Sequence, residues 1–514
     1  MNCPKTQIDS NSTGLRYAEE VCLKRLPSVV PDGRDPIWRA LEPNSYSDFG
    51  GEITTVARNP INPSRQRKRG AVVDLEASGG FTQDLTFFNT ADLLQGFLFA
   101  DAREKPTTRP MNGAAGVAIT AVATATDSFA AASGLAAFAA RRLVRASGFS
   151  AATNNGVHEV VSSTATSVTV VTDLVNETAP PAGAKLEVVG HRFPVGDLSV
   201  ALNGGLVRLI SVAANLNSLG LIPGEWVYVG GDIALSRFVN NRGFARVSAV
   251  SPGFVEFDKV DWVAVVEAGG SLSIEMYFGT AIRNEFDPQL IKRRSYQLER
   301  TLGNDADGVM SEYLVGAVPS ELTINVPQAE KVTVDMSFMA TDHETRTGSE
   351  GPKVGSRVGV IEGDAFNTSS DFSRIKLSTV DDATANVTPL FAFGTDLSIS
   401  INNNVSSVKA VGVLGAFEMT TGTFEVGGSI TAYFADVQAV RAVRNNSPVT
   451  LDVIMVRDNS GIVIDIPLLS LGNGRINVEQ DQSVTLPLDI PAAEGKFGYT
   501  LLAQLFPYLP NAAA

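Results

Sequence analysis

A two-residue alternation of apolar and polar side chains runs through most of this 514-residue chain. It is plain in Val72-Val73-Asp74-Leu75-Glu76-Ala77, in Leu322-Thr323-Ile324-Asn325-Val326 and in Val332-Thr333-Val334-Asp335-Met336-Ser337-Phe338. A period of two places every apolar side chain on one face of an extended strand, so these runs are half-buried strands with the apolar side inward. Turn-forming Asn-Gly, Pro-Gly and Asp-Gly pairs punctuate them at the short intervals of hairpins and meanders in sandwiches or barrels. The chain is therefore read as mostly β. Two distant stretches also share one plan of strand, paired glycine, second strand and short helix. One runs from Val72 to Phe99 around Gly79-Gly80, the other from Phe424 to Asn445 around Gly427-Gly428. A duplicated unit in a long β-rich chain points to assembly rather than catalysis.

The helices of the two units are short. Asn89-Thr90 is placed to cap a helix over Ala91 to Phe99, with Asp92 at its positive end and Ala91, Leu94 and Leu98 forming one apolar stripe. The second helix is expected over Ala435 to Asn445, with Asp436 early, Val440 and Val443 apolar, and Arg441 and Arg444 near the negative end. Each follows a strand directly and is expected to pack across the sheet it has just left.

At this length, roughly three or four domains are expected. Hydrophobic residues at 44% and charged residues at 19% place the chain in the globular class. The net charge of −14 argues against tight nucleic-acid binding, which needs clustered Lys and Arg, but not against a surface that nucleic acid slides past. The two cysteines, Cys3 and Cys22, give no disulfide framework and no four-ligand zinc set. No charged-then-apolar leader opens the sequence. The Ala-rich stretch Gly113 to Ala140 is broken by polar residues well short of a membrane span, so the chain is expected to be soluble at synthesis.

A second repeat lies between about residues 111 and 280. Leu143-Val144-Arg145-Ala146-Ser147-Gly148 matches Trp226-Val227-Tyr228-Val229-Gly230-Gly231, Asn154-Asn155-Gly156 matches Asn240-Asn241-Arg242-Gly243, and Leu186-Glu187-Val188 matches Leu272-Ser273-Ile274. The offset of roughly 86 residues suits a small five- or six-stranded barrel. Strands that would complete the first duplicated unit resume only at Ser295 to Ala340, so the tandem modules read as an insertion in one copy.

Taken in order, several segments resemble the tail tube proteins of tailed bacteriophages, in the form in which two tube domains share one polypeptide. The resemblance is carried by Leu15-Arg16-Tyr17-Ala18-Glu19-Glu20, by Asn62-Pro63-Ser64-Arg65-Gln66-Arg67-Lys68-Arg69-Gly70 leading to Gly79-Gly80-Phe81, and by Arg294-Ser295-Tyr296-Gln297-Leu298-Glu299-Arg300. In the second half it rests on Leu397-Ser398-Ile399-Ser400-Ile401-Asn402-Asn403-Asn404, Leu414-Gly415, and the run from Gly422 to Phe434. The resemblance implies two β-sandwich or barrel tube domains, each with a flanking helix. The first comprises 1–110 and 281–352, small β-barrels are inserted at 111–192 and 193–280, a linker spans 353–385, and the second tube domain covers 386–514.

It further implies a structural virion protein without enzymatic activity or cofactor. Three chains would form a pseudo-hexameric ring, and rings would stack into the hollow tail through which phage DNA leaves. The partners are then the chain itself, other tail proteins at the tube ends, and DNA passing without specific binding. No membrane is involved, assembly occurs in the host bacterial cytoplasm, and the resemblance leans toward long non-contractile tails. An acidic lumen would repel phosphate, and sheets continuing between neighbours would remove exposed edges. The inserted barrels are expected to project outward, and deletion of Gly113 to Phe278 to leave polymerisation intact.

The one dense basic cluster, Arg65, Arg67, Lys68 and Arg69, reads either as a solvated loop or as a stacking or inter-subunit loop meeting acidic neighbours. No aromatic residues are interleaved for base stacking. His158, His191 and His343 lack zinc-protease spacing and a Cys partner, and structural or surface roles are expected for them. Gly303 to Gly308 mimics a calcium loop only in part and reads as a turn. The alternative class is a carbohydrate-binding or adhesin-like surface protein. Its aromatic candidates, Trp226, Tyr228 and Trp262, occur in the second module alone, and core packing is expected at least for Trp226.

Overall fold

The computed structural model describes residues 8–513 apart from 62, 64, 104, 106–115, 382–383 and 392. Cys3, Asn62, Ser64 and Gly113, singled out above, lie outside the described residues. The chain is mostly β, with three α-helices among the described residues.

The first strands are β1 (Thr13–Glu19), β2 (Ile37–Leu41), β3 (Pro43–Arg58) and β4 (Lys68–Asp84), followed by helix α1 (Ala91–Phe97). The inserted region contributes β5 (Arg142–Ser147), β6 (Lys185–Arg192), β7 (Trp226–Val229), β8 (Gly243–Ser251), β9 (Phe254–Val260) and β10 (Glu275–Phe278) among others. After it come β11 (Thr280–Arg283), β12 (Tyr296–Asn304), β13 (Val309–Val326), β14 (Thr333–Ala340), β15 (Ser356–Val358) and β16 (Phe372–Thr379). The last part holds β17 (Gly394–Asn402), β18 (Val405–Lys409), β19 (Ala416–Thr421), β20 (Glu425–Tyr433), helix α2 (Gln438–Arg444), β21 (Val449–Arg457), β22 (Ser460–Leu469) and β23 (Leu502–Phe506).

Two compact units result. The first comprises Met1–Phe99, Lys292–Phe366 and Asp396–Ser429. Its sheet runs β15-β2-β1-β12-β13-β17-β20, and β14 links the far half of β13 to β4, which pairs with β3. The pairings from β2 through β1, β12 and β13 to β17, and from β13 through β14 and β4 to β3, are antiparallel, whereas β15 runs parallel to β2. The strict alternation of β14 buries Val334, Met336 and Phe338 on one face. There Phe81 stacks on Phe338 at 6.2 Å and Phe97 of α1 meets the same ring edge-on at 5.4 Å. Each such side chain contributes about 1.5–3 kcal/mol by leaving water, which is what holds the short helix to its sheet.

The second unit comprises Ala100–Ile291, Asn367–Thr395 and Ile430–Ala514. Both inserted modules lie in one continuous 14-stranded sheet, because β6 of the first pairs with β10 of the second through Gly190 and Tyr277. One hydrogen-bond device recurs in each. Asn154 Oδ1 accepts from Val175 N while its Nδ2 donates to Val175 O and Glu177, and Asn241 makes the same bonds with Val265 and Glu267. The second sheet of the unit runs β11-β23-β22-β21-β16. Segment 353–385, expected as a linker, supplies β15 to the sheet of the first unit and β16 to the second sheet of this one. Between the two sheets of the unit lies an aromatic core in which Trp226, Tyr228, Phe244 and Tyr277 cluster with Ile454, Val463, Tyr499, Leu502 and Phe506.

Candidate assembly surface

The pairing of β3 with β4 builds a hairpin far longer than an ordinary ~5–6-residue strand, with partners from Pro43–Gln83 out to Arg58–Lys68. Its inner end is buried through Phe81 and Gln83, whereas its outer half stands clear. Ile53 is 57%, Val56 56%, Val72 53% and Val73 51% exposed. Val72 and Val73 are consecutive and therefore point to opposite faces, so both faces of the arm carry exposed apolar side chains at this point. Four large β-branched side chains on an open two-stranded ribbon form the kind of surface that a partner covers.

The basic cluster sits at the tip of this arm. Arg65 and Arg67 lie in the connecting loop, Arg65 with φ of 57°, while Lys68 and Arg69 begin β4; all four are exposed. Periodicity marked these residues as strand and loop but gave no sign that the ribbon would extend beyond the sheet.

The helices differ in how they seat. In α1, Ala91 and Leu94 are buried as expected, together with Leu93 and Phe97, and Leu98 is buried just past the last turn. The helix ends at Phe97, short of the expected Phe99, and Phe99 itself adopts φ of 46°. Thr90 occupies the cap without a side-chain bond to the first turn, because Thr90 Oγ1 donates to Asn89 Oδ1, which also accepts from Thr86 N. Helix α2 starts three residues later than expected. Asp436 precedes it and accepts from Gln438 N at 2.7 Å, Val440 and Val443 are half-buried, and the buried positions are Ala439 and Ala442.

Beneath α1, Asp92 accepts from Tyr17 Oη at 2.9 Å and lies 3.6 Å from Arg39 Nη1. Burial pushes its carboxyl up to about 6, against the opposing pull of Arg39 and the Tyr17 hydroxyl. Glu20, also raised by burial, is satisfied by Ser295, Gln297 and the amides of Lys24 and Gly316.

In the second unit a chain of buried ions crosses between the sheets. Arg246 of β8 pairs with Asp258 of β9 at 2.8 Å and with Asp465 of β22 at 3.2 Å. Lys259 of β9 meets Asp452 of β21, which Arg374 of β16 also contacts at 2.5 Å. Burial raises Asp452, but Lys259 and Arg374 outweigh it and hold the carboxyl down at about 2. None of these charges was marked by the sequence, where they alternate with apolar residues like any solvent-facing position.

The catalytic candidates disperse. His158 and His191 have their ionisation depressed by burial, His191 to about 4, and His343 Nε2 lies 3.1 Å from Glu312. Asp305 closes the Gly303–Gly308 turn by accepting from the amides of Asp307 and Gly308. Trp226, Tyr228 and Trp262 are all buried, so they form no sugar platform. Cys22 is a free, exposed thiol. Among the described residues no three His, Cys, Asp or Glu side chains group to hold a metal ion, and no helix is long and apolar enough to cross a membrane.

The chain is thus mostly β and carries an exposed, apolar, basic-tipped ribbon. The family model for phage tail tube protein matches residues 10–492, and the chain belongs to that family. It is thus a structural component of a phage tail. No curated protein matches the chain.

Proposed function

We propose that three copies of the chain close into a pseudo-hexameric ring, and that rings stack into the hollow tube through which DNA is ejected. In this reading 1–110 with 281–352 and 386–514 are the two tube domains, joined through 353–385, and 111–192 and 193–280 are modules carried by the first. The observation that carries it is the β3–β4 arm, whose four large apolar side chains are open on both faces. A ring closes by a heterologous contact between different surfaces of identical subunits, and an arm reaching a neighbour is such a contact. The cluster Arg65, Arg67, Lys68 and Arg69 then serves as the inter-subunit or stacking tip, drawn to carboxylates of a chain with net charge −14. The tube domain helices, through Ala91, Leu94, Leu98, Val440 and Val443, hold the sheets that carry these contacts.

The partners are further copies of the chain, other tail proteins at the tube ends, and DNA that passes without specific binding. The protein acts without enzymatic activity or cofactor and assembles in the host bacterial cytoplasm. Negative-stain microscopy and sedimentation of the purified chain test the reading. Rings or hollow filaments with three-fold symmetry are expected, and replacing the four tip residues with Ala abolishes them while leaving the monomer folded. A monomer that persists at high concentration and binds sugars would replace this reading with the adhesin one.

A further inference from the structure

The two halves of the chain build their arms differently. In the first, β3 and β4 run on as one ribbon and lead to α1. In the second, β17 and β20 are neighbours in the sheet and lead to α2, yet the chain between them folds as a separate two-stranded hairpin, β18–β19. In chain order that hairpin takes the place that the outer arm takes in the first half, between two sheet strands and ahead of a helix. Both ribbons leave the sheet at left-handed residues: Asp48 and Gly50 in the first, Asn404 in the second.

Several contacts within the first unit fasten the second hairpin. Asn403, almost wholly buried, donates through Nδ2 to Phe97 O at 3.0 Å and Pro319 O at 3.1 Å. Lys24 Nζ donates to Ala416 O, and Val405, Ala416 and Met419 pack with Phe99 and Val318. The hairpin's turn lies against the β3–β4 arm: a Cβ added to Gly415 would stand 3.1 Å from Thr341 O and 3.4 Å from Leu75 O. From this position Lys409 Nζ bonds Asp74 and lies 2.9 Å from Glu76 Oε1.

The acidic side of that contact calls for a cation. Glu52 and Glu76 are direct cross-strand partners, and Thr54 opposite Asp74 puts a third carboxylate one step along the same face. Like charges directly opposite on a hairpin repel. Lys409 offsets that repulsion where the arm departs from its unit.

We propose that β18–β19 is the second half's own arm, folded back as a brace that fixes the direction of the β3–β4 arm through Lys409. Each chain then offers one reaching arm and one bracing arm, and only three of the six tube domains in a ring extend an arm. The proposal rests on the reading of β3–β4 as the inter-subunit arm. Lys409 is a positioning residue: its ion pairs are solvent-exposed and contribute little to stability, but they set where the ribbon points.

The test uses the full-length chain. In Lys409→Glu, the unfolding midpoint of the monomer should stay at the wild-type value, while amides of the outer arm exchange faster with deuterium. The concentration needed for tube formation should rise at least tenfold. Adding Asp74→Lys and Glu76→Lys should restore both the protection and the assembly. Wild-type exchange and assembly in Lys409→Glu would overturn the brace. If the four-residue tip variant fails to assemble in the same experiment, the arm reading survives that outcome. If the tip variant polymerises normally, the arm reading itself falls.

Discussion

Arg246 Nη1 lies 3.2 Å from each carboxylate oxygen of Asp465, a residue 219 positions away in sequence and on the opposing sheet of the second unit. Tyr499 Oη donates to the same carboxylate at 2.7 Å, and Asp258 holds the other side of the guanidinium. The bond joins an inserted module to the strands of the C-terminal region. Arg246→Met would leave two carboxylates buried without their shared cation, and a loss of about 3–5 kcal/mol is expected. Urea unfolding followed by tryptophan fluorescence measures it. A loss below about 1 kcal/mol would mean that water reaches the pair.

The same contacts bear on removal of the insertion. Read from sequence, deletion of Gly113 to Phe278 spares the rest of the chain. In the structure Arg246 of β8 pairs with Asp465 and Lys259 of β9 with Asp452, while Trp226, Tyr228, Phe244 and Tyr277 of the insertion complete the aromatic core over β21 to β23. The deletion is therefore expected to unfold the second unit, seen as insoluble protein or lost near-UV circular dichroism. A soluble deletion variant with native near-UV signal would contradict this.

The paired glycines can be separated by substitution. A Cβ on Gly428, where φ is 140°, would stand 1.9 Å from Ser398 O, and one on Gly80 would stand 2.8 Å from Met336 O. Gly427 has Ser400 Oγ as its nearest neighbour, at 3.8 Å. Gly80→Ala and Gly428→Ala should each cost about 1–3 kcal/mol, whereas Gly427→Ala should change stability by less than about 0.5 kcal/mol. Thermal unfolding of the three variants gives the order directly.

Asp92 makes stability pH-dependent. Its native carboxyl titrates near 6, above its ordinary value of 3.8, so the native state holds the proton more tightly than the unfolded chain. The contribution is fully present below about 3.8 and is lost as pH rises through 6, a change on the order of 3 kcal/mol. Asp92→Asn, which keeps an acceptor for Tyr17, should flatten this part of the stability profile between pH 4 and 7. It should also make the variant the more stable protein at pH 8. An unchanged slope in chemical denaturation across that range would rule the assignment out.

Much of the architecture was legible because strand formation is local. Alternation identified β4, β13 and β14, and Ala91 and Leu94 fall among the buried residues of α1. The paired glycines, expected to separate two strands in each unit, instead lie inside single strands, Gly79-Gly80 in β4 and Gly427-Gly428 in β20, because cross-strand pairing carries the extended backbone straight through them. The start of α2 was misplaced because Ala435 and Val437 continue the apolar pattern, while Asp436 bonds the Gln438 amide and turns the chain before the helix begins. The tip residues were visible as a basic run, but their reach was not. Exposure of Ile53, Val56, Val72 and Val73 depends on what fails to pack against them, and their alternation is the same as that of a covered strand.

The sequence by itself determined the mostly-β character and the ordered segments that place the chain in its family, since both depend on residue types at short spacing. Only the tertiary structure decided which carboxylates are buried, that one ribbon extends while the other folds back, and that the inserted modules share a core with the C-terminal strands. The physical reason is distance along the chain. Arg246 and Asp465, or Lys409 and Asp74, are ordinary polar residues on alternating strands until folding brings them together and removes water from between or around them.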